Sequence, residues 1–314
     1  MDMRSEHAPG LAHAPAAAAA LAALAASDAA RAQATPAIAQ KSVTVDGNVK
    51  LNYLEAGTGK TLVLVPGWSQ TAEQFKFQLQ GLAANYRVIA FDMRGHGDSD
   101  KPGRGYRIQR LAQDLYEAMA KLDLKDVTLL GHSMGCSVIW CYLDMAGPQR
   151  IARLVFCDQA SFLTTNPNWS AQQLGDYGSI FTPASVSATA AALTGPDGVA
   201  ATVGFLKSMV TAAMPAEQFQ WIVDLNLKMP RLAAAQLLYN HCHQDWRDVL
   251  PRIKLPSLFI GGKASLVPFS CMAWEATQVP GAQLAIFEVA ELGSHFMFVE
   301  NPARFNALLR TFIG

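Results

Sequence analysis

One short motif, lying between a strand-like run and a helix-like run, limits most strongly what this chain can fold into. The apolar run 127–130 continues into residues 131–135, Gly-His-Ser-Met-Gly, and the helix-compatible segment 136–145 follows directly. A Gly-x-Ser-x-Gly pentapeptide in this setting forms a tight, strained turn from strand to helix that exposes the serine hydroxyl. Its glycines leave room for the neighbouring strand and helix. The motif therefore predicts a nucleophilic serine, Ser133, at the end of a buried strand.

Strand-like and helix-like segments alternate from residue 41 onward. Residues 41–45 and 49–55 flank Asp46-Gly47, and an Asp-Gly pair between alternating segments predicts an antiparallel hairpin. Short apolar runs bounded by turn residues are typical of buried parallel strands. Such runs occupy residues 61–65, 87–91, 127–130, 154–157, 257–260 and 284–287, with a helical pattern at 108–121. The pattern predicts an α/β protein with a mostly parallel, eight-stranded sheet flanked by helices.

The long stretch between the sixth and seventh predicted strands differs in composition from the strands around it. Residues 162–243 are rich in Ala, Thr and helix-compatible sequence. We expect them to form a helical cap inserted after the sixth strand, on a core made of residues 41–161 and 244–314. No internal repeat or long charged linker separates the two parts, so cap and core are expected to form one compact unit.

Charge balance and cysteine spacing exclude several classes of binding partner and ligand. The 25 basic residues balance 25 acidic ones, so no overall field would recruit nucleic acid, an anionic membrane or a highly charged substrate. A hydrophobic content of 51% supplies a large core, and the expected substrate is small and largely neutral. The five cysteines are scattered and never spaced as metal-ligand pairs, which predicts free thiols and no metal site.

The first forty residues differ from the rest of the chain. Residues 14–26 are almost pure Ala and Leu, and Ala-Gln-Ala at 32–34 has the form of a signal-peptide cleavage site. Two acidic residues near the start are unlike a secretory signal, so residues 1–40 are either a signal peptide or a disordered extension. A signal peptide would send the mature chain to the periplasm or out of the cell, and otherwise it is cytoplasmic. No integral membrane span is expected in the mature chain, and the oligomeric state is left open.

Two backbone amides are candidates for stabilising negative charge on a substrate oxygen. Such an oxyanion hole takes one donor from the residue after the nucleophile and one from the loop after an earlier strand. Met134 supplies the first donor, and Trp68, in Pro-Gly-Trp at 66–68, supplies the second. The Trp68 indole is expected to line the mouth of the cavity, with core packing as the alternative.

The general base is expected on a loop after the last strand. A serine hydroxyl attacks poorly unless an imidazole takes its proton, and in hydrolases with this motif that histidine comes last in the chain. Residues 293–296, Gly-Ser-His-Phe, follow the last predicted strand and precede a closing helix at 303–312. His295 is therefore the predicted base. Four other histidines lie in a turn, beside the nucleophile or at the end of the cap and are less well suited: His96, His132, His241 and His243.

These motifs resemble those of the α/β-hydrolase superfamily. The resemblance runs from about Ser42 to the end of the chain and rests on residues 66–68, 91–99, 131–135 and 293–296, where 91–99 reads Phe-Asp-Met-Arg-Gly-His-Gly-Asp-Ser. It implies the α/β-hydrolase fold and a reaction without a cofactor. Most members with these motifs are esterases, lactonases, perhydrolase-like chloroperoxidases or C–C bond hydrolases, which proceed through an acyl-enzyme or an activated water.

The triad acid is missing from the place where this superfamily usually carries it. A buried carboxylate must orient the histidine, and it normally follows the seventh predicted strand. Residues 262–268 read Gly-Lys-Ala-Ser-Leu-Val-Pro, so Ser265 stands in the acid's position, and no Asp or Glu occurs from 261 to 274. Asp158 directly follows the sixth predicted strand, and the ends of parallel strands converge at one edge of the sheet. We hypothesise that Asp158 is the acid, with a helix cap or turn as the alternative.

An acid in this position, together with the Pro-Gly-Trp loop, is also similar to some lactone hydrolases and to the cofactor-free 3-hydroxy-4-oxoquinolone 2,4-dioxygenases. The chain departs from those dioxygenases at the turn after the fifth strand, where their serine is followed by His and this chain has Met134. We therefore favour a serine hydrolase that cleaves a hydrophobic or aromatic carboxylic ester or lactone through an acyl-enzyme. In the alternative dioxygenase, the His295–Asp158 pair would deprotonate a hydroxyquinolone-like substrate. A ligand receptor without catalysis is a third hypothesis.

Aromatic side chains suggest where an apolar substrate binds. Trp169 and Trp221 lie in the predicted cap, and Trp68 and Phe296 lie beside the predicted oxyanion donor and base. We expect these four residues to contact the substrate, with ordinary packing as the alternative. A His-x-His pair at 241–243 without a third ligand does not predict a metal site.

Overall fold

The computed structural model describes residues 36–314. The Ala-rich segment 14–26 and the Ala-Gln-Ala site at 32–34 lie outside the described residues. Within residues 36–314 no helix is both long enough and apolar enough to cross a bilayer. All five cysteines are described, and each is buried and unpaired, which confirms the prediction of free thiols.

An eight-stranded sheet forms the centre of the structure, with strand order β1-β2-β4-β3-β5-β6-β7-β8. The strands β1 and β2 form the predicted hairpin, β2 also pairs antiparallel with β4, and all other neighbours are parallel. The bounds are β1 Ala39–Val45, β2 Val49–Ala56, β3 Lys60–Val65, β4 Tyr86–Phe91, β5 Val127–His132, β6 Ile151–Cys157, β7 Ser257–Gly262 and β8 Gln283–Phe287. The mostly parallel sheet predicted from the sequence is confirmed.

Helices cover both faces of the sheet, which explains why its central strands are apolar throughout. In β3, Val63 and Val65 pack into one apolar layer, while Leu62 and Leu64 pack into the layer on the opposite face. Successive side chains of a strand point to opposite faces, so a strand covered on both sides needs an uninterrupted apolar run. The helices of the core are α1 Lys76–Leu82, α2 Ile108–Lys121, α3 Met134–Ala146, α9 Phe269–Gln278, α10 Met297–Glu300 and α11 Pro302–Ile313.

The predicted helical cap follows the sixth strand. Between β6 and β7 the chain forms α4 Ala171–Tyr177, α5 Pro183–Thr194, α6 Gly198–Lys207, α7 Ala216–Asn226 and α8 Arg231–Cys242. Several of these helices begin at sequence-encoded caps; Ser170 and Thr182 each accept a hydrogen bond from the backbone N–H three residues on. These five helices form the cap expected from the sequence.

A buried ion pair secures the turn after β4. Arg94 is fully buried, and its guanidinium makes two parallel hydrogen bonds to the Asp114 carboxylate on α2, at 2.7 and 2.9 Å. A second contact joins Arg94 to Asp46 in the β1–β2 turn at 2.9 Å. Removing one partner of a buried pair leaves the other charge uncompensated in a medium of low dielectric. The sequence Asp-Met-Arg-Gly-His-Gly thus links the hairpin, the sheet and a core helix.

Replacement of this acid tests the contribution of the pair. We expect Asp114→Ala to lower the free energy of unfolding by about 3–5 kcal/mol, since Arg94 would stay buried with only Asp46 nearby. The matched control is Asp144→Ala, which breaks the exposed Arg252–Asp144 pair of 2.7 Å and should cost about 1 kcal/mol or less. Urea unfolding followed by circular dichroism measures both; equal losses in the two variants would contradict the role given to the buried pair.

Candidate active site

The predicted nucleophile lies on a strained turn between β5 and α3. Ser133 has φ 53° and ψ −127°, a backbone conformation that residues with side chains rarely adopt. A Cβ added at Gly131 would lie 2.5 Å from the carbonyl carbon of Gly135, and one added at Gly135 would collide with the carbonyl oxygen of Val65 on β3. The two glycines are therefore required by close backbone contact, as the motif predicts.

The Pro-Gly-Trp loop lies directly against this turn. A Cβ added at Gly67 would lie 2.9 Å from Cβ of Ser133, so only glycine allows the loop to come this close. In the described part of the chain, the backbone N–H groups of Trp68 and Met134 make no hydrogen bond. Free N–H groups beside a serine hydroxyl are what an oxyanion hole requires. Their role remains a prediction, and the geometry is compatible with it.

The cap holds this loop in position. The indole N–H of Trp68 donates to the carbonyl of Ala234 on α8 at 2.7 Å, and the Ser69 hydroxyl donates to the carbonyl of Asn226 at 2.8 Å. The Arg231 guanidinium donates to Ser69 Oγ, also at 2.8 Å. Ser69 itself has φ 57°, so these bonds support a strained backbone. The candidate oxyanion donor at Trp68 is thus attached to the cap as well as to the sheet.

The predicted base and acid are in direct contact. His295 Nδ1 lies 2.6 Å from Asp158 Oδ2, and both side chains are almost completely buried. Asp158 follows β6 with φ 56°, and its backbone N–H donates to Ile260 on β7 at 2.8 Å. A carboxylate at Nδ1 keeps the proton on that nitrogen and leaves Nε2 free to accept one. The acid found after the sixth strand therefore has the geometry that the hypothesis requires.

The Ser265 hydroxyl supports the Asp158 carboxylate. It donates to Asp158 Oδ2, the same oxygen that contacts His295, and its Oγ accepts from the Val267 N–H at 3.0 Å. The serine in the usual acid position thus binds the carboxylate that arrives from the neighbouring strand.

His132 has a structural role in the site, because it holds the backbone of His295. Its Nε2 donates to the backbone carbonyl of His295 at 2.7 Å, and its Nδ1 lies 2.9 Å from Oε1 of Gln70. Burial, with a smaller effect from His295, holds the pKa of His132 well below its usual value. The neutral ring has a single N–H, on Nε2, and its hydrogen bond to the His295 carbonyl positions the backbone of the predicted base.

Ser133 and His295 line one small, largely apolar cavity of about 30 Å³ between the sheet edge and the cap. Trp68, Gln70 and Gln159 line it from the core, and Phe181, Phe205, Leu238 and His241 are among the residues that line it from the cap. Within residues 36–314, Ser133 Oγ makes no hydrogen bond. In free enzymes such bonds are often long and tighten when substrate binds.

Three of the four predicted substrate-contacting aromatic residues lie outside this cavity. Trp169 packs in an aromatic cluster under Arg247, whose guanidinium lies 4.9 Å from its ring. Trp221 lies beneath the Lys76 ammonium at 3.7 Å, and its indole N–H donates to Glu73. Phe296 is fully buried behind the base, against His132. Of the four, only Trp68 lines the cavity, because the other three rings pack against side chains outside it.

Sequence reasoning did not select several of the residues that line the cavity. Phe205 and Leu238 are ordinary apolar residues of α6 and α8, and no sequence signal distinguishes them from core positions. Gln159 stands next to Asp158 and could have been found from that position alone. Glu275, on α9, was also missed.

Glu275 is a fully buried carboxyl group that fixes the loop following Asp158. Its Oε1 accepts from the Ser161 backbone N–H at 2.5 Å, and within residues 36–314 its Oε2 has no partner. Burial raises the pKa of Glu275 well above its usual value. No cation among the described residues offsets this effect on Glu275, so the environment favours its protonated form.

Comparison with known proteins is consistent with this architecture. A family model of the alpha/beta hydrolase fold matches residues 60–192, which include Ser133 and Asp158. A putative non-heme chloroperoxidase of Synechocystis sp. is 29% identical over 302 residues, covering 87% of this chain and 97% of that protein. An esterase of Exiguobacterium antarcticum has a TM-score of 0.80 at 26% identity, covering 88% of this chain and 99% of its own. A bromoperoxidase of Bacillus anthracis, 24% identical with TM-score 0.79, covers 88% and 99% and shares the fold.

The acid assignment can be tested by substitution. We expect Asp158→Asn to lower turnover of an aryl ester by about 10⁴-fold with the fold intact, because the imidazole loses its correct tautomer. Ser265→Ala keeps the Asp158–His295 contact and should cost only about tenfold, the effect of one hydrogen bond to a charged group. Steady-state kinetics with circular dichroism as the folding control measures both effects. Near-full activity of Asp158→Asn would rule out Asp158 as the triad acid.

Glu275 predicts a pH dependence of stability. The unfolded chain ionises this carboxyl near its usual pKa of 4.5, while the folded chain keeps the proton, so stability falls as the pH rises above that value. The side chain that Glu275→Gln introduces cannot ionise. The free energy of unfolding of the variant should therefore rise relative to that of the wild type by up to about 1.4 kcal/mol for each pH unit above 4.5. Urea unfolding from pH 5 to 8 measures the gap. The exposed Glu217→Gln is the control, and a gap independent of pH would contradict a buried neutral Glu275.

Proposed function

Because this chain belongs to the α/β-hydrolase superfamily, we propose that it is a serine hydrolase that cleaves a hydrophobic or aromatic carboxylic ester or lactone through an acyl-enzyme. The observation that carries the proposal is the shared cavity. Ser133 and His295 line it together, with the Asp158 carboxylate directly behind the imidazole. The esterase similarity supports ester chemistry on this framework.

Acylation begins with a proton transfer from the serine. His295 Nε2, left unprotonated by the tautomer that the Asp158 carboxylate holds at Nδ1, takes the proton of Ser133 while Oγ attacks the substrate carbonyl carbon. The carbonyl oxygen becomes negatively charged and accepts hydrogen bonds from the free N–H groups of Trp68 and Met134. His295 then gives its proton to the departing alkoxide, which leaves an acyl group on Ser133.

Deacylation uses the same groups with water as the nucleophile. His295 takes a proton from water, the hydroxide attacks the acyl carbon, and Ser133 leaves with that proton to restore the free enzyme. The product is a carboxylic acid, or a hydroxy acid when the substrate is a lactone. The largely apolar cavity wall suits a hydrophobic acyl or alcohol group.

A cofactor-free dioxygenase is the second candidate. It is favoured by the position of the acid, since Asp158 rather than a residue after β7 contacts His295. In that reaction the histidine would deprotonate a hydroxyquinolone-like substrate, and the anion would react with oxygen, with Ser133 only assisting. The Gly-His-Ser-Met-Gly motif and the free N–H groups of the Trp68 loop favour hydrolysis.

One set of measurements separates the two reactions. We expect stoichiometric labelling of Ser133 by an aryl fluorophosphonate and hydrolysis of aryl esters or lactones without oxygen uptake. Ser133→Ala should abolish labelling and lower kcat/KM by about 10⁴-fold or more. Oxygen uptake with a hydroxyquinolone that survives Ser133→Ala would establish the dioxygenase instead.

The chain offers a matched control for this substitution. Ser137 lies one turn later on α3, fully buried, and its hydroxyl has no partner among the described residues. Ser137→Ala should therefore retain both labelling and activity. Folded wild-type protein that resists the fluorophosphonate would argue strongly against an acyl-enzyme.

A further inference from the structure

His241 contributes an unpaired polar group to the otherwise largely apolar cap wall of the proposed site. It lies on α8, and its side chain lines the cavity that also contains Ser133, His295 and Leu238. The residue is only 3% exposed. The imidazole therefore reaches the cavity from the cap while the nucleophile and base reach it from the sheet.

Neither ring nitrogen of His241 has a hydrogen-bond partner among residues 36–314, and its Nδ1 is sealed from solvent. The other described histidines each make at least one ring hydrogen bond: His96 to Arg94, His132 to His295, His243 to Tyr239 and His295 to Asp158. A buried polar group without a partner is unfavourable, and proteins generally avoid it. Such a group at a cavity wall is available to a ligand.

The imidazole is neutral. Burial lowers the pKa of His241 to about 3, so near pH 7 the ring carries one N–H donor and one lone pair. A group this weakly basic does not compete with His295 for the serine proton. Its remaining chemistry is hydrogen bonding to an uncharged polar group.

We propose that His241 recognises a hydroxyl or amide group of the substrate, separate from the scissile carbonyl, and so selects esters or lactones that carry one. The proposal rests on the hydrolase function proposed above. A hydroxyl group suits either tautomer of the ring, since it both donates and accepts. The neighbouring cap residues Phe181, Phe205 and Leu238 offer no competing polar partner. The substrate class is then a largely apolar ester with one additional polar substituent.

Matched esters test this selectivity. The substrates are the 4-nitrophenyl esters of phenylacetic, 3-hydroxyphenylacetic and 4-hydroxyphenylacetic acids, and of hexanoic and 3-hydroxyhexanoic acids. At least one hydroxylated ester should exceed its parent in kcat/KM by about tenfold in the wild type, the effect of one buried hydrogen bond. In His241→Phe that ratio should fall to about one, because the ring keeps its shape and loses its polar atoms.

The controls separate a local effect from a general one. His243→Phe, the same substitution at an exposed histidine outside the cavity, should keep the wild-type ratio, and His241→Gln should keep part of it. His241→Leu replaces His241→Phe should the latter fail to fold, as judged by circular dichroism. An unchanged ratio in the apolar variants, or no hydroxylated ester preferred over its parent, overturns the proposal for His241 and leaves the hydrolase function standing.

A binding measurement covers the case in which no ester is hydrolysed. Isothermal titration calorimetry compares phenylacetamide with its 3- and 4-hydroxy derivatives on wild type and His241→Phe. A preference for a hydroxylated amide that is lost in the variant supports the recognition role whatever the reaction. Where no ester is hydrolysed, absence of that preference in binding refutes it.

Discussion

Three separate parts of the chain meet at one carboxylate oxygen, Asp158 Oδ2. The strand β6 delivers the carboxylate, the loop after β7 brings the Ser265 hydroxyl to it, and the loop after β8 brings the His295 imidazole. Burying a carboxylate is unfavourable unless hydrogen-bond donors compensate it, and here two donors reach the same oxygen while Oδ1 has no partner among the described residues. This carboxylate therefore joins the loops at the ends of three neighbouring strands, beside the cavity that Ser133 lines.

Three loops at the same edge of the sheet carry residues with strained backbone. Ser69, Ser133 and Asp158 all have positive φ angles, between 53° and 57°, and each belongs to a loop that supplies a group to the candidate site. Conformations of this kind cost about 1–3 kcal/mol each and persist only where the surroundings hold them. Here the support comes from the apolar layers on both faces of the sheet and from two hydrogen bonds of the Ser69 hydroxyl. It accepts one from Arg231 and donates the other to the carbonyl of Asn226.

The sequence predicts the sheet and the loops at its edge well, because both are encoded locally. Apolar runs ended by turn residues define the strands, and Asp158 could be found because parallel strands end at a common edge. The cap residues behave differently. Trp169 and Trp221 have the composition expected of a substrate pocket, yet which face of a cap helix meets the cavity is decided by packing between distant segments. The buried Glu275 and the unpaired His241 depend in the same way on tertiary environment, which no local pattern records.

The Trp68 loop is attached to the cap by side-chain hydrogen bonds, and this attachment links entry to reactivity. A movement of α8 away from the sheet that widened the cavity would break the bonds from Trp68 to Ala234 and from Arg231 to Ser69. The same movement that admits a ligand would then release the backbone amide proposed to bind the oxyanion. With the cap open, the oxyanion donor would be out of place and catalysis would be slow. The donor would return to its position only when the cap closes over a ligand that fits beneath it.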